Sequence, residues 1–197
     1  MHLVYKLFSP ICSMRNVLIF HGTGGSPEGN WFPWLTQKLE AKNCTVFVPK
    51  FPHPKDSPLP DWLSVLKNYE QYIDQDSILI GHSLGGLFLL RVLEKLKQPV
   101  HAAFFVAAPI GIKPIRYYDS DFAFSGFDFN WPEIKKKAKH FVVYHSDTDP
   151  YVSLANGEQL AKNLGVKLSF VPNAGHLNAE SGFTSFDLLL KDVLVVA

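Results

Sequence analysis

Residues 77–96 read SILIGHSLGGLFLLRVLEKL. Ser77 to Ile80 is a short apolar run, Leu87 to Leu96 repeats apolar side chains at helical spacing, and Gly81-His82-Ser83-Leu84-Gly85 between them has the form G-x-S-x-G. A serine on a sharp turn from strand to helix sits in a strained backbone conformation with its hydroxyl raised from the turn. A side chain two positions away on either side would collide with neighbouring backbone. Gly81 and Gly85 stand at those two positions, which makes Ser83 a candidate nucleophile. The competing reading is a glycine-rich helix start packed for steric reasons, and the five-residue pattern outside a strand-turn-helix context would not separate the two.

Working outward, short runs rich in Val, Ile and Phe recur at Val17 to Phe20, Thr45 to Val48, Ala102 to Val106, Phe141 to Tyr144 and Leu168 to Val171. With Ser77 to Ile80 they predict six buried strands. Helical period lies between them, at Trp34, Leu35 and Leu39, at Trp62, Leu66, Tyr69 and Ile73, at Leu87 to Leu96, at Leu154, Leu160 and Leu164, and at Phe186 to Val196. Alternating strands and helices specify an α/β fold: a three-layer αβα sandwich around an open, mostly parallel sheet of about six strands. In such sheets the loops at the carboxyl ends of the strands build the site. Two connections break the pattern. Five prolines between Pro49 and Pro60 (PKFPHPKDSPLP) predict a stiff extended loop, and residues 111–132 show no clear period but carry Tyr117, Tyr118, Phe122, Phe124, Phe127, Phe129 and Trp131.

The chain has 197 residues, the size of one domain, with 19 Lys and Arg against 18 Asp and Glu. A net charge of +1 gives no field to draw in nucleic acid or anionic lipid. Charged residues are only 19% of the chain, hydrophobic residues 47% and aromatics 14%, which excludes disorder and leaves an aromatic excess to explain. Cys12 and Cys44 make no disulfide framework, so two plain thiols in a reducing, cytoplasmic setting are expected. No apolar run approaches the ~18 residues that a membrane span needs. Residues 1–13, ahead of Met14, read as an optional extension of a single domain over 14–197. The Lys135, Lys136, Lys137 and Lys139 run, next to Glu133, reads as a solvated face. The histidines lack metal-binding spacing, and neither a metal nor a cofactor is expected. The glycine-rich stretch His21-Gly22-Thr23-Gly24-Gly25 lacks the Gly-Lys-Ser/Thr of a phosphate loop, and Pro27 stands where a dinucleotide loop needs its third glycine.

A serine hydroxyl needs an imidazole to take its proton and a carboxylate to orient that imidazole. In elbow-type enzymes both follow the serine in the chain. His176, in Pro172-Asn173-Ala174-Gly175-His176 after the last strand, is the candidate base. His101 and His140 stand at strand starts, the wrong end of the sheet, and His145 reads as a supporting residue of the acid's loop. Asp147 and Asp149, both in His145-Ser146-Asp147-Thr148-Asp149-Pro150, compete for the acid position, and spacing does not choose between them.

From these motifs the chain resembles the alpha/beta-hydrolase superfamily, within it the small capless serine hydrolases of the retinoblastoma-binding protein 9 and YdeN type. The resemblance covers nearly the whole chain from Met14. It includes the first strand with its glycine-rich loop and tryptophans (HGTGGSPEGNWFPWL), the proline-rich loop entering a Trp-containing helix (FPHPKDSPLPDWL), the elbow, the Asp-Pro turn and Gly175-His176. It implies that the acid is the Asp directly before Pro, hence Asp149, and that Thr23 joins the Leu84 backbone amide in holding an oxyanion. The implied activity is hydrolysis of an ester or related acyl bond in a small apolar substrate through an acyl-enzyme. The alternative is a hydrolase-fold protein-binding module with weak or vestigial esterase activity. The expected partner is a small-molecule acyl substrate, with neither nucleic acid nor membrane, room for a protein partner, and a monomer or weak homodimer. Trp31, Phe124, Phe127 and Trp131 are expected to line the substrate pocket, the last three as a short aromatic flap where longer relatives insert a cap.

Overall fold

The computed structural model describes residues 15–53 and 58–196. The expected extension at residues 1–13, and Cys12 within it, lie outside the described residues. All six predicted strands form: β1 (Asn16–Phe20), β2 (Thr45–Phe47), β3 (Ile78–His82), β4 (Val100–Val106), β5 (Ala138–His145) and β6 (Leu168–Phe170). They make one sheet in the order β2-β1-β3-β4-β5-β6, and each pairing in it is parallel, where the sequence suggests only mostly parallel. After β2 the chain crosses back over β1 to lay down β3. The switch in direction therefore falls between β1 and β3, and an open α/β sheet of this kind binds its ligand at that crevice.

Alternate residues of each strand feed two cores. Leu18, Phe20, Leu79, Ala103, Phe105 and Val143 face one way, and meet α2 (Leu59–Lys67), α3 (Leu84–Lys95) and α6 (Leu154–Leu164). Val17, Ile19, Ile78, Ile80, Phe104 and Tyr144 face the other way, against α1 (Phe32–Glu40) and α7 (Asp187–Val196). The result is three layers. Each fully buried Leu or Phe contributes about 1.5–3 kcal/mol relative to leaving it in water.

Two expectations about the connections are corrected. The proline-rich loop is expected to reach Pro60, but the helix it enters starts before that: α2 begins at Leu59, with Pro60 in the first turn, where a missing N–H costs nothing. Residues 111–132 are not without helix either, because α4 (Tyr118–Ser125) and α5 (Trp131–Ile134) lie there. The reason is α3, which buries nine of its twelve residues and so needs cover on the side away from the sheet. Phe124 fits edge-on to Trp62 and Phe88, and Arg91 lies over the Phe129 ring at 4.4 Å. Much of the aromatic excess is spent on this second layer.

Candidate active site

Ser83 stands between β3 and α3 at φ 55° and ψ −126°, a conformation costly for any residue with a Cβ. The backbone is held there by Ser83 N–H donating to Val106 O of β4 (2.8 Å). A Cβ on Gly81 would come within 2.7 Å of Gly86 N, and one on Gly85 would run into the Phe20 carbonyl. The two glycines thus let the elbow press against β1 and against its own helix. The Ser83 hydroxyl makes no capping bond to α3. Leu84, the first residue of α3, has no helical carbonyl one turn earlier to accept its N–H. Its side chain is buried in the core.

His176 and Asp149 meet as a pair. His176 Nδ1 lies 2.7 Å from Asp149 Oδ2, and the Asp149 side chain has no exposed surface. The other carboxylate oxygen accepts the Tyr151 and Val152 amides at 2.8 and 3.0 Å. These three donors fix the orientation of the carboxylate. Asp147 is used differently: its Oδ1 accepts the Asn173 amide at 2.8 Å. Next to it, Ser146 Oγ takes the Ala174 amide and Thr148 Oγ1 the Gly175 amide, at 2.9 and 3.1 Å. Three consecutive side chains of one loop thereby hold three consecutive amides of the loop that delivers His176.

Three further histidines, His82, His21 and His145, support this frame. His82 Nε2 donates to His176 O at 3.0 Å, and burial, aided by the charge of His176, lowers its pKa to about 3, so it stays neutral. His21 Nδ1 donates to Gly22 O while its Nε2 accepts the Phe51 amide, at 2.9 and 3.0 Å. That arrangement requires neutral imidazole, and burial lowers the His21 pKa accordingly. His145 Nε2 donates to Val152 O and lies 3.6 Å from Asp149 Oδ2, beneath the acid. His101 and His140 sit on the amino-terminal parts of β4 and β5, in tilted ring contact at 5.2 Å and away from Ser83.

Ser83, His176, Thr23 and Gly22 line one cleft of about 280 Å³, with Asn30, Ile115, Tyr117, Asp121, Tyr151, Val152, Asn178 and Glu180 around them. The expected aromatic lining is corrected by this list. Trp31 is fully buried, among Phe32, His82 and Phe186, and its indole N–H donates to Leu177 O at 3.0 Å. It anchors the residue after His176 from behind. Phe124 points onto α3, one turn beyond the stretch that reaches the cleft. Phe127 packs over Gly111 and Tyr118, and Trp131 against Phe129. The segment does border the cleft, through Ile115, Tyr117 and Asp121 instead.

That border is fastened by a residue the sequence reading passed over. Buried Asn156 of α6 accepts the Ile110 and Ile112 amides through Oδ1, at 2.9 and 3.1 Å, and returns a bond to Ile112 O at 2.7 Å. A short antiparallel bridge then pairs Ile115 with Val152. Tyr151 packs edge-on to the His176 ring, and its hydroxyl donates to Glu180 at 2.7 Å. Asp121, also passed over, is one of three acids, with Asp119 and Asp128, that interrupt the aromatic stretch.

A sequence model described as Serine hydrolase matches residues 17–194. The hydrolase YdeN of Bacillus subtilis (strain 168) is 31% identical over 182 residues, covering 91% of this chain and 94% of its own length. Serine hydrolase RBBP9 of Rattus norvegicus is 25% identical, covering 95% of this chain and 100% of its own. The crystal structure of the ydeN gene product from B. subtilis superposes with a TM-score of 0.86 at 29% identity, over 93% of this chain and 98% of that one. Among the described residues no helix is long and apolar enough to cross a membrane. A chain matched from its first strand to its last helix, with a glycine-flanked serine at the elbow of β3, belongs to the serine hydrolase family of small alpha/beta hydrolases.

Proposed function

We propose that the protein hydrolyses an ester or related acyl bond of a small substrate through Ser83, His176 and Asp149. The observation that carries this reading is the Asp149–His176 pair at 2.7 Å in the same cleft as a serine at φ 55°. Ser83 Oγ attacks the acyl carbon while His176 Nε2 takes the hydroxyl proton, and Asp149 holds the ring with Nδ1 protonated and stabilises the imidazolium. Negative charge on the carbonyl oxygen is met by the Leu84 and Thr23 amides. Collapse breaks the bond to the leaving group, which departs with the proton from His176. Water then repeats the sequence on the acyl-enzyme, releasing the acid and restoring Ser83. No step calls on a metal or cofactor. The proposed setting is the cytoplasm, on the lack of a disulfide framework in the sequence.

A fluorophosphonate probe tests the assignment directly. The wild-type chain should be labelled and should turn over p-nitrophenyl acetate, and Ser83→Ala should do neither while melting as wild type. Labelling that persists in Ser83→Ala would overturn the choice of nucleophile.

A further inference from the structure

Asp121 is a buried carboxyl on the cleft that the proposed mechanism leaves unused. It is 4% exposed, yet its Oδ1 is sealed from solvent with no hydrogen-bond partner, and it forms no ion pair with any described residue. Burial alone raises its pKa to about 7. An isolated buried carboxyl without donors is a state that folded proteins rarely carry unless something else completes it. Cover for α3 does not require it, since neighbouring Phe124 supplies that packing.

The surroundings specify what would complete it. Glu180 is the second carboxylate on the cleft, and no lysine or arginine is among the described residues that line it. The nearby guanidinium of Arg116 lies over the Tyr117 and Tyr151 rings, at 5.6 and 5.0 Å from their centroids, and makes no ion pair with Asp121. A phosphorylated or carboxylate-bearing substrate would meet repulsion here. A hydroxyl could offer Asp121 one hydrogen bond without balancing its charge. An ammonium group offers several donors and the opposite charge together.

We propose that Asp121 is a specificity-determining residue, and that the preferred substrate is an acyl compound carrying a protonated amine, which its carboxylate receives while Ser83 attacks the carbonyl. This rests on the serine-hydrolase reading and replaces the small apolar acyl group expected from sequence with a cationic one.

The test compares isosteric pairs with purified full-length protein. On the acyl side, p-nitrophenyl esters of glycine and β-alanine are set against propionate and butyrate, with glycolate as the neutral donor. On the alcohol side, 2-(dimethylamino)ethyl acetate, protonated at neutral pH, is set against 3-methylbutyl acetate. Wild type should show kcat/KM at least tenfold higher for the cationic member of one pair, and Asp121→Asn should reduce that ratio at least tenfold, chiefly through KM. Intrinsic reactivity differences between esters cancel in the comparison of the two proteins. Equal kcat/KM across every pair, a preference for glycolate over glycine, or a ratio unmoved by Asp121→Asn overturns the proposal. Because wild-type ratios decide first, a poorly folding variant does not rescue it. Fluorophosphonate labelling run in parallel keeps the two readings apart: a labelled enzyme with no cationic preference loses only this inference, and an unlabelled one loses the hydrolase reading.

Discussion

His176 Nδ1 donates to Asp149 Oδ2 over 2.7 Å, while the opposite oxygen of that carboxylate is tied to the Tyr151 and Val152 amides. The two amides fix which way the group faces. In Asp149→Asn the carbonyl oxygen would stay with them and the NH2 would point at His176, forcing the ring into the tautomer with Nδ1 unprotonated and Nε2 unable to accept a proton. We expect kcat/KM for p-nitrophenyl acetate to fall by about 10³–10⁴. Asp147→Asn retains an acceptor for the Asn173 amide and should leave turnover within a few-fold of wild type. The reverse ranking would exchange the two acids.

Gly22 abuts the nucleophile. A Cβ there would lie 2.8 Å from Ser83 Cβ and 3.3 Å from its Oγ. Gly22→Ala should therefore slow fluorophosphonate labelling by about tenfold or more, with little change in Tm, since the added methyl meets the elbow at the cleft and not the core. Labelling at the wild-type rate would show that the elbow yields.

Asn156→Ala should strip the Ile110 and Ile112 amides of their acceptor. Leaving two inward-facing donors unmet costs about 2–4 kcal/mol, a fall in Tm of roughly 5–15 °C for a chain of this size. Because the same bonds fasten the segment carrying Tyr117 and Asp121, KM should rise as well, a change that thermal melts and steady-state kinetics read separately.

Acid should weaken the fold through its interior histidines. The pKa of His82 is near 3 in the folded chain against 6.5 unfolded, so the unfolded chain takes the proton first as pH falls. Its contribution is complete above pH 6.5 and is lost between about 6.5 and 3, with a slope approaching 1.4 kcal/mol per pH unit for one proton. His21 and His145 are lowered in the same direction. His82→Gln should flatten the dependence of Tm on pH in that window by one proton.

Asp121 has the opposite sign. Its folded pKa is raised from 3.8 to about 7, so its contribution is present below 3.8 and is lost as pH rises to 7. Asp121→Asn should melt a few degrees higher than wild type at pH 8, with the difference shrinking at pH 4. A residue kept for the fold alone would show no such gain.

The strands were legible because β-branched and aromatic runs between glycine and proline leave few alternatives, and the elbow was legible because Gly81 and Gly85 answer a steric demand that the structure displays at Phe20 and Gly86. Asp149 needed family resemblance, since only the hydrogen bonds distinguish it from Asp147. The segment 111–132 misled because its aromatics follow no single helical face. Phe124 serves α3, Phe122 is exposed, and an acid on the same helix reaches the cleft. Bulk and greasiness said nothing about direction. Trp31 misled for the same reason, since its place near the loop of Thr23 hid that its ring faces inward.

The three side chains of residues 146–148 that grip the amides of residues 173–175 have a consequence for how the edge of the sheet can come apart. Strand β6 is three residues long and lies outermost, where opening costs least. With the loops of Asp149 and His176 bound into one piece by those bonds, fraying at this edge would remove or restore the proposed acid and base together. On the proposed mechanism, such opening would switch the site between armed and disarmed states, without an unsupported imidazole facing Ser83.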